Sequence, residues 1–216
     1  MLKLDHIQYS VPDLAQGVDA ITARLGIQPV TGGIHPGNGT RNALLSLGDG
    51  KYFEVIAPDP AQALAGTMGG EIRDENVSRI RGWVVNTDDL DSVQHTAESL
   101  GLTTRRVSMS RNTPAGPTLN WELMFVDGHG FDHLFPVFID WLESPHPSAT
   151  TLQGGTFTSF TVSTSEPDRF AEIMNAFDIG EVEIVEGPNG LAMEITNASG
   201  DTCTLQGGPG RPDADL

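Results

Sequence analysis

The chain has 216 residues, 38% of them hydrophobic, a formal net charge of −17 and one cysteine, Cys203. That length buries a real core in one large or two small domains, and the acidity disfavours nucleic acid and anionic membranes as partners. A lone cysteine excludes an intrachain disulfide, the opening Met1-Leu2-Lys3-Leu4-Asp5 lacks a signal-peptide core, and no apolar run nears the ~20 residues of a membrane span; a cytoplasmic protein is expected.

The first strand is expected to carry His6 and to run apolar through 7–11. Asp13 then supplies an N-cap, apolar residues recur at helical spacing, and Leu25-Gly26 closes a helix. Strands are expected near 28–30, 41–47 and 52–57, the last carrying Glu54. Residues 59–75, rich in Ala and Gly, look like a linker. A second copy follows at an offset of 75, from a strand at 83–85 through a helix ending at Leu100-Gly101. Its later strands are expected at 104–108, 119–126 and 131–138. After a linker over 143–155, a third copy runs from a strand at 157–162 into a helix starting near Pro167. Its last strands are expected at 181–185, 191–196 and 202–205. The economical organisation is three βαβββ modules over 1–58, 76–142 and 155–206, with a disordered tail over 207–216. The fold class is α+β.

Only the first copy carries residue types suited to chemistry at its matching positions. First and fourth strands of a βαβββ unit are neighbours, and alternation puts His6 with Gln8, and Tyr52 with Glu54 and Ile56. An imidazole and a carboxylate suit Zn, Mn, Fe or Ni. The matching positions in the other copies fall near Arg81 or Gly82, Thr158, Pro136 or Phe138, and Thr204, none a usual ligand. The alternative is a His–Glu hydrogen bond in a polar cavity.

The stretch Gly32-Gly33-Ile34-His35-Pro36-Gly37-Asn38-Gly39-Thr40-Arg41-Asn42 is expected as a loop whose backbone N–H groups approach a ligand closely. His35, Asn38, Thr40 and Asn42 add polar heads there, and Arg41 adds a cation able to clamp a carboxylate. The alternative is a structural turn. Trp83, Phe138 and Trp141 are candidates for an apolar cleft wall, with core packing as the rival use. Asn120 and Glu122 share one face of their strand, either in the cleft or on the wet side of a sheet. His133 can replace a missing ligand only if the register slips. His95, His129 and His146 receive no role, and Cys203 is expected to pack as a small apolar residue.

Paired βαβββ units with a strand His and a fourth-strand Glu resemble the vicinal oxygen chelate superfamily, which includes glyoxalase I, extradiol dioxygenases and bleomycin-binding proteins. More narrowly, the 32–42 stretch followed by Leu47-Gly48-Asp49-Gly50-Lys51-Tyr52-Phe53-Glu54, with Val137-Phe138-Ile139-Asp140-Trp141 as a closing motif, is similar to the glyoxalase-like domain family. The resemblance implies tandem βαβββ modules forming a half-open mixed β-barrel around a cleft. The third module then packs onto the first two or pairs with its copy in a homodimer. It implies a small, oxygen-rich ligand and lyase, isomerase or hydrolase chemistry at His6 and Glu54. Either one divalent metal polarises the substrate's oxygens, or Glu54 abstracts a proton directly with His6 tuning it and no metal. His35, Arg41 and Asn42 would orient the substrate. The second implied function is binding without turnover, as in the bleomycin-sequestering members, with Trp83 and Trp141 stacking on a flat ligand.

Overall fold

The computed structural model describes residues 1–112, 116, 118–208 and 213. The first module comprises β1 (Lys3–Ser10), α1 (Leu14–Leu25), β2 (Val30–His35), β3 (Thr40–Gly48) and β4 (Lys51–Pro58). Asp13 caps α1 by accepting the Gln16 N–H at 3.0 Å. Gly26, at φ 77°, ends the helix in the left-handed conformation that only glycine adopts without strain. β1 pairs parallel with β4, while β4–β3 and β3–β2 pair antiparallel.

The second module repeats that arrangement with β5 (Arg79–Asn86), α3 (Leu90–Ser99), β6 (Thr103–Asn112), β7 (Thr118–Asp127) and β8 (Val137–Asp140). β5 pairs parallel with β8, then β8–β7 and β7–β6 pair antiparallel. An antiparallel β1–β5 seam, with Ile7 opposite Trp83, joins the halves. The outer strands β2 and β6 curl into contact without pairing, leaving a half-open barrel.

The third module has β9 (Thr156–Thr164), α4 (Pro167–Ala176), β10 (Glu183–Glu186), β11 (Gly190–Thr196) and β12 (Thr202–Gly207). It repeats the order of elements but not their pairing. Here the first strand, β9, lies between its second, β10, and its third, β11. In the first two modules the first strand instead pairs with the fourth. β12 meets β5 through Gly207 and Ile80, so the described residues form one twelve-stranded sheet. The third module therefore packs onto the first two within the chain.

Three local expectations are corrected. Residues 59–75 are not simply a linker: α2 (Met68–Glu75) occupies their second half, capped by Thr67. The 32–42 stretch is a β2–β3 hairpin, with Gly37 and Gly39 at positive φ in its turn. Position 32 of β2 is a glycine because a Cβ there would sit 2.2 Å from Asn42 Oδ1. The strand expected at 131–138 is a 3₁₀ turn over Asp132–Leu134, and β8 begins only at Val137. The tail over 207–216 lies mostly outside the described residues, but Asp213 is buried. Its carboxylate accepts from Tyr9 Oη and Arg24 Nη1, each at 3.1 Å.

Strand alternation divides the side chains into two layers. Ile7, Phe53, Val55, Trp83, Val85, Phe138 and Phe160 belong to the main core. Leu44, Tyr52, Val84, Trp121, Ile139 and Trp141 form a second cluster inside the barrel. Burial of each large side chain in these layers stabilises the fold by about 1.5–3 kcal/mol. Among the described residues no helix is long and apolar enough to cross a membrane.

A candidate active site in the barrel

The barrel interior holds a cavity of about 90 Å³. Module one furnishes its polar side. His6 and Gln8 come from β1, His35 and Asn38 from the β2–β3 hairpin, Thr40 and Asn42 from β3, and Tyr52 and Glu54 from β4.

The β1–β5 register shifts between Leu4 and His6, leaving Asp5 as an extra residue. Such a bulge breaks strict alternation and re-aims a side chain. Asp5 thus reaches its own neighbour, His6, whose Nδ1 lies 2.6 Å from Asp5 Oδ1. The other Asp5 oxygen accepts from Asn86 Nδ2 at 2.7 Å and Trp141 Nε1 at 3.0 Å, and lies 2.9 Å from His146 Nε2. Burial alone would raise the Asp5 carboxyl pKa. The contacts with His146 and His6 outweigh it and hold the group well below the ordinary carboxylate range. Fixed through Nδ1, the His6 ring stacks on Tyr52, with centroids 4.4 Å apart, and its Nε2 faces Glu54 Oε2 at 3.7 Å.

Glu54 is buried and each of its oxygens accepts an amide N–H: Asn42 Nδ2 at 2.5 Å on Oε1, and Gln8 Nε2 at 3.0 Å on Oε2. Burial opposes its charge, but nearby His6 and His35 and the two amides overcome it and lower the pKa. The Asn42 orientation is fixed from behind, because its Oδ1 accepts the Gly33 N–H at 2.8 Å. His35 Nδ1 lies 3.0 Å from Thr40 Oγ1, and its Nε2 is 3.9 Å from Glu54 Oε1. Burial lowers the His35 pKa, and the charges of Arg111 and His6 lower it further against the pull of Glu54. Tyr52 is pushed the other way. Burial, with Asp5 and Glu54 nearby, raises its phenol well above the usual value, so it stays protonated. Its hydroxyl lacks a hydrogen-bond partner among the described residues.

Module two supplies an apolar wall from Trp121, Leu123, Phe125, Val137, Ile139 and Trp141, together with one cation, Arg111. Trp121 and Trp141 pack with ring centroids 5.5 Å apart.

A family model described as a glyoxalase-like domain matches residues 4–177. The chain belongs to the glyoxalase-like domain family. That family lies within the vicinal oxygen chelate superfamily, and the match runs past the second module into β9 and α4. No curated protein matches the chain. Among solved structures, a hypothetical protein from Staphylococcus aureus aligns with 97% of this chain and 87% of its own, at TM-score 0.66 and 19% identity. Methylmalonyl-CoA epimerase from Mycobacterium tuberculosis covers 68% of this chain and 91% of its own, at TM-score 0.49 and 21% identity. A Streptomyces coelicolor methylmalonyl-CoA epimerase in complex with 2-nitronate-propionyl-CoA covers 63% and 95%, at TM-score 0.47 and 16% identity.

Members of the superfamily commonly bind a divalent metal. Catalytic sites for such ions usually offer three or more protein ligands. Among the described residues no group of three or more His, Cys, Asp or Glu side chains is placed to hold an ion. Both Glu54 oxygens already face amide donors, and Arg111 brings positive charge to the same cavity. The inward positions of β5 and β8 carry Val84, Val137 and Ile139. The donor set does not fit a resident divalent metal.

Of the residues expected at the site, His6, Glu54, His35, Asn38, Thr40, Asn42 and Trp141 line the cavity. Five do not. Trp83 and Phe138 belong to the main core layer on the other face of the sheet, and Trp83 Nε1 donates to the Leu134 carbonyl at 2.8 Å. Asn120 is exposed, and Glu122 pairs with Arg106 on the outer face of β7. Arg41 lies between Thr40 and Asn42 and so points to the opposite face of β3, where its Nε is buried without a hydrogen-bond partner. Sequence reasoning missed Asp5, Arg111 and the linker residue His146. Asp5 carried the one available signal, a carboxylate directly beside a strand histidine.

Proposed function

We propose that this glyoxalase-like protein is an acid–base enzyme that removes and returns a proton on carbon beside a carbonyl of a small molecule. The observation that supports this most is the run Asp5–His6–Glu54, fixed by hydrogen bonds at both ends and facing a largely apolar cavity. Glu54, kept ionised by the nearby His6 and His35 and by the hydrogen bonds from Asn42 and Gln8, takes the proton as the C–H bond breaks. The electron pair moves onto the carbonyl oxygen. Tyr52, protonated and without a partner, donates a hydrogen bond to that developing oxyanion. His6, oriented by Asp5, lies against the same carboxylate and exchanges the proton with it. The proton then returns to the same or an adjacent carbon, giving exchange or isomerisation.

The Trp121–Trp141 wall favours a second reading, in which the cavity sequesters a flat ligand without turnover. Deuterium wash-in from D₂O, followed by proton NMR over small ketones, hydroxy ketones and oxo acids, separates the two. An enzyme catalyses exchange that Glu54→Gln abolishes while the fold persists. A sequestering protein shifts the ligand's resonances without catalysing exchange in any variant.

A further inference from the structure

Arg111 is only 5% exposed, yet no carboxylate lies within 4.0 Å of its guanidinium among the described residues. Its Nη1 donates a hydrogen bond to the Gly32 carbonyl. That bond ties β6 to β2 where the barrel stays open, and it fixes the group on the cavity wall. A guanidinium presents five donors in a planar fork that matches a carboxylate. Keeping such a charge buried without a counter-ion is costly. Its charge reaches the other cavity residues: it adds to the lowering of the His35 pKa, which burial dominates, and works against the burial-driven rise of the Tyr52 pKa. The surroundings limit how much negative charge it can attract. It is the only Lys or Arg lining the cavity among the described residues, opposite the ionised Glu54 with Asp5 behind His6. Asp5 is held by His6, Asn86, Trp141 and His146, and Glu54 by Gln8, Asn42 and His6, so the single Arg111 charge is left to meet one negative charge on a ligand, and the cavity size suits a compact molecule.

We propose that the cavity binds a small monocarboxylate, with its carboxylate on the Arg111 fork and its body against Trp121. The placement of its reacting carbon toward Glu54 rests on the proton-transfer reading; the anion preference does not. The test compares three- to six-carbon 2-oxo and 2-hydroxy acids with their primary amides, which match them in size. Binding is read by thermal shift and tryptophan fluorescence on the full chain. The expected result is at least one acid binding tenfold or more tightly than its amide. Arg111→Gln should erase that preference, Arg111→Lys should retain part of it, and Glu54→Gln should keep it or tighten the acid. Circular dichroism checks each fold, and Arg111→Lys covers the case in which the Gln variant does not fold. Amides binding as well as acids, no acid binding at all, or a preference that survives Arg111→Gln would overturn the proposal. Carboxylate binding without proton exchange would defeat the catalytic reading alone, and exchange without carboxylate preference would defeat this one alone.

Discussion

Modules one and two share one strand order, mirrored across β1 and β5, but they furnish the cavity in opposite ways. Each seam strand carries one bulge. In β1 the extra residue is Asp5, whose carboxylate gathers His6, Asn86, Trp141 and His146. In β5 it is Arg81, which pairs with Glu71 and Glu75 of α2. The same backbone irregularity therefore orients a cavity histidine in one half and anchors a helix in the other. The inward faces diverge likewise: His6, Gln8, Tyr52 and Glu54 stand on β1 and β4, against Val84, Val137 and Ile139 on β5 and β8. A ligand set shared by both halves needs donors from both. This pair of modules assigns polar chemistry to one half, and a wall with a single cation to the other.

The sharpest break in that comparison is Glu54→Gln. It should lower turnover by about 10²–10⁴-fold, the usual weight of a general base, with circular dichroism unchanged. Asp5→Ala comes next, because it strands buried donors from both modules and the linker. It should cost about 3–5 kcal/mol of stability, read from the denaturant midpoint. Both carboxyls have pKa values lowered by folding, so their contribution is complete above the unfolded carboxylate range, about 3.9–4.3. It is lost as pH falls through the folded values. Acid titration of the wild type should thus show stability falling below about pH 4, and Asp5→Asn should flatten that fall. Tyr52→Phe keeps the ring on His6 and removes only the hydroxyl. It should lower kcat by about 10²-fold, the scale of one oxyanion donor, with little change in melting temperature. At the low end, Asn120→Ala on the outer face of β7 should change stability by less than about 0.5 kcal/mol and leave ligand binding intact.

The modules were legible because helical periodicity, turn glycines and a repeat of 75 residues mark them in the sequence. His6 and Glu54 could be placed together because β1 and β4 pair directly, with Gln8 opposite Glu54 in the register. Pairing in the third module was not legible, since the same elements serve either strand order. Trp83 and Phe138 were misplaced because alternation sorts a strand into two faces without saying which one meets the cavity; that depends on the β1–β5 and β5–β8 registers. Asp5 escaped because a bulge defeats alternation. Arg111 escaped because β6 extends past the expected strand end at 108, and its approach to Gly32 depends on barrel curvature.

The central claim is that module one moves the proton while module two holds the ligand. Deuterium wash-in from D₂O, measured side by side for wild type, Glu54→Gln and Trp121→Phe with whichever probe binds the wild type, tests it most directly. The account predicts catalysed exchange in the wild type, a weakened KM with largely preserved kcat in Trp121→Phe, and loss of exchange in Glu54→Gln. Exchange at the wild-type rate in Glu54→Gln, or none in a wild type that binds the probe, would contradict it.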